Sequence, residues 1–250
     1  PEEVALLASD LGESGAGGQT ARSRLASHID TEYVSHAAAT CDITCIGWQR
    51  CAATLGPELS ETDCSRWANS LVGAYGGSEA ALRDLGPGRA RNLVRAVSKL
   101  DGLQGGQLAL SWFEAVGSDT WKQYPVDDLI STAWAAVQVS GEGSYTRSDL
   151  IGQLDQVCYQ KHTQEPLSYL QLEKVSRLCS AGREGAKSQQ WTERAYERVV
   201  GSEEARNRAN MGTLGSLAHL MHDTLVARKS EGCEEFATAL VQDGMLALAR

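Results

Sequence analysis

Phenylalanine is almost missing from this chain, with two residues in 250, and proline is scarce, with five. A core poor in Phe has to be filled by Leu, Ala, Val and the six Trp. Scarce proline leaves long stretches free to be helical. Long apolar runs are also lacking. The longest uncharged segments, Gly102 to Phe113 and Ala209 to His222, are too short and too mixed to span a bilayer. Runs of alternating β-branched residues are nearly absent, which argues against strands. Positive charge is in deficit as well, with 23 Lys and Arg against 32 Asp and Glu, for a formal net charge of −9. A surface of that sign repels phosphate unless its basic residues are gathered onto one face.

The apolar fraction of 42% and charged fraction of 22% are those of a globular chain, so neither a collagen-like nor a wholly disordered protein is expected. Seven Cys is an odd number in a chain far larger than small disulfide scaffolds, and a reducing compartment fits best. Cys41, Cys45, Cys51 and Cys64 form the one dense group. It has a C-x3-C pair and a single C-x9-C spacing, without the second close pair that zinc or a two-bridge hairpin needs. Buried thiols are therefore expected, with no metal and no cofactor.

Residues 1–27 read as an N-terminal arm and flexible linker. The Gly-rich stretch Gly12 to Ser23 supplies the flexibility. Gly12 to Thr20 begins like a phosphate-binding loop, but Gly18 and Gln19 stand where the decisive Lys belongs. Residues 28–250 read as one α-helical domain. Apolar residues recur at spacings of three and four, and Pro57, Pro87, Pro125 and Pro166 fall between segments.

Six helices are expected at Glu32–Cys45, Cys64–Tyr75, Arg91–Leu100, Asp127–Val139, Leu170–Ser180 and Gly212–Asp223. Each is followed by a second: Gln49–Ala53, Glu79–Asp84, Gln107–Val116, Arg147–Tyr159, Gln189–Val200 and Glu234–Leu248. This series predicts an all-α fold of irregular helical-hairpin repeats, an α-solenoid, with an irregular helical bundle as the alternative.

The stretch Tyr124 to Gly141, YPVDDLISTAWAAVQVSG, resembles the helical repeats of the octotricopeptide and RAP-type organellar families, with Asn92 to Gly102 and Gln171 to Gly182 as weaker copies. That resemblance implies an α-solenoid in a mitochondrion or plastid, serving RNA stabilisation, RNA processing or ribosome assembly. The chain begins with Pro1, and removal of a targeting peptide is expected, consistent with an organellar location.

No nucleophile, acid-base or metal motif is visible, so the expected role is non-catalytic. His28, His36 and His162 are isolated. His219 and His222 with Asp223 lie one turn apart without a third ligand nearby. The acidic balance favours a scaffold or accessory subunit of a large organellar assembly, acting through protein contacts. Trp48 and Trp121, near turns, are its candidate partner anchors, while Trp67, Trp112 and Trp134 are expected in the core. The alternative is an organellar RNA-binding repeat protein. It would use the patch Arg83, Arg89, Arg91, Arg95 and Lys99, which is offset within its span by Asp84 alone.

Overall fold

The computed structural model describes residues 16–29, 45–138, 146–182 and 185–200, together with residues 3, 4, 6, 7, 10, 33, 34, 215 and 219. Within these the fold is all-α, and no strand occurs among them. The helices are α1 (Ala16–His28), α2 (Ile46–Leu55), α3 (Glu61–Gly76), α4 (Glu79–Asp84), α5 (Gly86–Leu100), α6 (Gly102–Val116), α7 (Ser118–Trp121), α8 (Val126–Gln138), α9 (Arg147–Gln164), α10 (Tyr169–Ala181) and α11 (Gly185–Val200). The expected helices Glu32–Cys45, Gly212–Asp223 and Glu234–Leu248 lie largely outside the described residues. Cys45 itself, with φ 59°, caps α2 and is not helical.

Two compact units are present, residues 1–146 and 147–250, where the sequence suggested one domain from residue 28 onward. The N-terminal expectation also changes. Residues 16–28 are a helix and not a linker, because tertiary contacts fix them: Ala26 is buried, and Arg22 and Ser23 reach Glu58 at 3.5 and 2.7 Å. Local Gly content was overridden by packing.

Local chemistry explains several helix ends. Ser60 accepts the Asp63 N–H, Ser78 the Ala81 N–H and Asp101 the Gln104 N–H, so α3, α4 and α6 begin on side-chain caps. Ser168 and Gln171 form a reciprocal capping box at the start of α10. α5 starts earlier than its apolar pattern implied. Pro87 occupies its first turn, and Gly86, at φ +64°, lets the chain leave α4 and enter α5 within two residues.

In the first unit α1, α2, α5 and α8 form one layer. α2 packs on α1 and α5, and α5 on α8. Helices α3, α4 and α6 lie beneath, with α4 and α3 against α6 and α6 against both α5 and α8. Helices α2, α5 and α8 begin at residues 46, 86 and 126, so forty residues separate each start from the next. The sequence had placed Gln49–Ala53 as the second helix of a hairpin. The structure puts α2 in the same layer as α5.

Polar links between helices fall a little short of this spacing. Ser65 donates to Asp101 across 36 residues, Arg91 to Asp128 across 37, Arg95 to Ser131 across 36 and the Arg83 Nε to the Ala115 carbonyl across 32. In the second unit Trp191 donates to Asp155, again across 36. There α10 packs closely on α11 through buried Ser176, Ser188 and Thr192, whose hydroxyls bond one another and the Ser176 and Ser188 carbonyls.

The core of the first unit holds Trp48, Trp67, Trp112, Phe113 and Trp121, and that of the second holds Trp191, each with Leu, Val and Ala. Trp112 stacks on Tyr124 and meets Phe113 edge-on, and Phe113 meets Trp121 in the same way. α5 and α6 cross very closely at Gly105. A Cβ built there would lie 2.6 Å from the Ser98 Cα and 2.7 Å from its N.

Candidate macromolecule-binding face

Charge is distributed by layer in the first unit. Helices α1, α2 and α5 contain no Asp or Glu, and together they carry Arg22, Arg24, Arg50, Arg89, Arg91, Arg95 and Lys99. Helices α3, α4 and α6 carry Glu61, Asp63, Glu79, Asp84 and Glu114 against Arg66 and Arg83. The net acidity of the whole chain therefore conceals a basic layer.

Helix α5 is the centre of that layer. α2 flanks it on one side and α8 on the other, and α3, α4 and α6 support it from beneath. The face left open is the stripe Arg91, Arg95 and Lys99, spaced by four. Arg95 and Lys99 are exposed, and Arg50 is exposed on the neighbouring α2.

Arg91 is held in place: its Nη1 lies 2.5 Å from Asp128 Oδ1 and its Nε donates to Asn92. Asp128, mostly buried at the start of α8, is thereby paired. Arg95 donates to Ser131 at 3.3 Å. Partial burial and the neighbouring Arg91 charge lower its pKa, opposed by Asp128, yet a guanidinium stays charged at neutral pH.

One helical turn beyond Ser131 stands Trp134, 42% exposed where the sequence expected a core residue. Its place on α8 explains the exposure. Val126, Leu129, Ile130, Ala133, Ala136 and Val137 are buried together with Asp128 and Thr132, and the stripe through Ser131 and Trp134 is left outward.

The opposite correction holds for Trp48 and Trp121. Their exposures are 1% and 0%, so neither presents its ring to a partner. Trp48 points into the core from the first turn of α2, and Trp121 lies edge-on to Phe113. Nearness to a turn in sequence did not mean nearness to solvent. Trp67 and Trp112 are buried as expected.

The sequence patch also divides. Arg83 belongs to α4, where it pairs with Glu79 and bonds the Ala115 carbonyl, away from the α5 stripe. Arg89 is half-buried near the start of α5, with its Nε buried and unbonded. Arg91, Arg95 and Lys99 remain together. Arg50, 41 positions before Arg91, joins them; the roughly one-hairpin separation was the signal that could have found it.

No His, Cys, Asp and Glu cluster fit to hold a metal occurs among the described residues. Among the described residues Cys45, Cys51, Cys64, Cys158 and Cys179 form no disulfide, and Cys41 lies outside the described residues. Burial pushes the Cys51 thiol up to about 11 and the Cys158 thiol up to about 12, which keeps both protonated and unreactive. Cys64 is raised too, by burial and then by Asp63, Asp101 and Glu61. His219 is described as a helical, exposed residue, and His222 and Asp223 lie outside the described residues. Among the described residues no helix is long and apolar enough to cross a membrane. The chain matches no known protein family, no curated protein and no solved structure.

Proposed function

We propose that this protein is a non-catalytic binding subunit that receives an anionic macromolecule on the open face of its α1, α2, α5 and α8 layer, and that single-stranded RNA is the partner this face fits. One observation carries the reading: three adjoining helices are free of acidic residues and lead to an outward Trp134, and the two acids of α8, Asp127 and Asp128, are confined to its first turn, where Asp128 is paired with Arg91. Exposed Arg and Lys side chains attract phosphates, and an aromatic face beside them stacks a base. The forty-residue succession of α2, α5 and α8 supports a reading as stacked helical hairpins, which offer an extended surface of this kind.

Binding of a mixed-sequence single-stranded RNA, measured by fluorescence anisotropy over a salt series, tests this. With Arg50, Arg95 and Lys99 each meeting one phosphate, log K falls with log salt at a slope of about −2. Between about 50 and about 200 mM salt that is a loss of about 20-fold. The R95E/K99E double variant is expected to abolish binding without unfolding the chain, since both side chains are exposed.

A second reading keeps the protein as a scaffold or accessory subunit of an organellar assembly. Leu103 and Leu170, 56% and 60% exposed, favour it, because large apolar side chains left open are what a protein partner covers. Capture of a protein partner that is insensitive to salt and to R95E/K99E would support this reading over the RNA one.

A further inference from the structure

The second unit contains a histidine whose hydrogen bond fixes its protonation state. His162 lies near the C-terminus of α9, and its Nδ1 is 3.2 Å from the Leu167 backbone nitrogen. A backbone N–H donates only, so Nδ1 must accept and cannot carry a proton. Leu167 is buried in the short connector that leads through Pro166 to the Ser168 cap of α10. The imidazole therefore ties the end of one helix to the start of the next. Its ring stands edge-on to buried Trp191 of α11, with centroids 5.9 Å apart.

We propose that His162 is a proton-operated latch on the α9 to α10 connector, closed by the neutral ring and opened when Nδ1 takes a proton. A protonated Nδ1 becomes a donor facing a donor, so the Leu167 N–H loses its acceptor. The surroundings oppose that protonation. The positive charges of Arg194 and Arg198 on α11 act against it; Arg194 is held 4.9 Å from the centroids of both Tyr159 and Trp191. Carboxylates that would favour the charged ring are occupied or turned outward. Asp155 accepts from the Trp191 indole, Glu173 of α10 is paired with Arg177, and Glu193 is bonded by Gln189. Glu165 and Glu197 are exposed, Lys161, the residue before His162 on α9, is a further cation, and Lys174 of α10 is exposed.

Burial, then Arg194 and Arg198, lower the pKa of His162 from its ordinary value near 6.5. A group whose folded pKa is depressed stabilises the fold above its unfolded pKa and loses that contribution as pH falls through the folded one. The latch is thus closed at neutral pH and opens in the acid range below about 6.5.

The test is a pH titration of the ¹⁵N-labelled full chain from about pH 7.5 to about pH 5, following the His162 ring and the Leu167 amide together. Both signals are expected to move with one midpoint below the ordinary histidine value. Hydrogen exchange at Leu167, corrected for its intrinsic pH dependence, should accelerate about tenfold or more as the bond is lost. In H162N an amide oxygen near the Nδ1 position keeps the acceptor without titrating, so Leu167 should stay protected throughout. In R198Q, which removes an exposed cation, the midpoint should rise. A Leu167 amide that ignores the His162 titration in the wild-type chain overturns the proposal, whether or not the variants fold. So does an H162N chain that loses Leu167 protection with the wild-type midpoint.

Discussion

The crossing of α5 and α6 allows one substitution to be worked through. Gly105 lies in the first turn of α6, buried, with its N–H bonded to the Asp101 carbonyl at 3.0 Å. An alanine Cβ there would meet the Ser98 Cα at 2.6 Å and the Ser98 N at 2.7 Å. Both are backbone atoms and cannot rotate away. Ordinary carbon contacts sit near 3.5 to 4.0 Å, so the two helices would have to separate by about 1 Å.

Overpacking of this kind costs about 1–3 kcal/mol, and the helix preference of Ala over Gly returns about 1 kcal/mol. G105A should therefore lose up to about 2 kcal/mol, read as a lower urea midpoint and a fall in Tm of up to about 8 °C. Gly73 supplies the control. It is exposed in the interior of α3, and a Cβ there meets nothing within 4 Å. G73A should gain up to about 1 kcal/mol through helix preference alone. The same change is thus expected to have opposite signs at two helical glycines. A G105A chain that melts at or above the wild-type temperature would refute the close crossing.

Other outcomes follow from the same geometry. S168A removes the capping box of α10 and should lower stability by about 1 kcal/mol, measurable by chemical denaturation. W112A should cost about 3–5 kcal/mol, since Trp112 is fully buried, whereas W134A should leave Tm nearly unchanged and weaken RNA binding by about 1–3 kcal/mol. Iodoacetamide at about pH 8 should label half-exposed Cys64 before Cys51 and Cys158, because only the thiolate reacts and burial holds those two protonated. Mass spectrometry of native and denatured samples reads the order, and equal native labelling of Cys158 and Cys64 would contradict the burial.

Most helices could be read from the sequence because their signals are local. α4 lies at the residues its pattern marked, Glu79–Asp84, and Ser60, Ser78 and Ser168 cap their helices through neighbours three residues away. What failed was tertiary. The Gly-rich start of α1 reads as a linker until Glu58 and the packing of Ala26 are known. Trp48, Trp121 and Trp134 share one residue type and helical surroundings, and their opposite exposures depend on which neighbours cover each helix. The basic face was half legible. Arg91, Arg95 and Lys99 share a stripe at helical spacing, but Arg50 comes beside them only when α2 packs on α5, and Arg83 leaves them because the chain turns at Gly86.

The recurring interval of the cross-hairpin links bears on how the chain is made. Arg91 finds Asp128 and Ser65 finds Asp101 without waiting for distant sequence. Loop-closure entropy grows slowly with length, and contacts of such modest separation favour rapid folding. During synthesis, at about 5–20 residues per second, each newly emerged hairpin would meet a finished surface within seconds. Growth from the first hairpin forward would then keep apolar faces exposed for little longer than one hairpin takes to be translated.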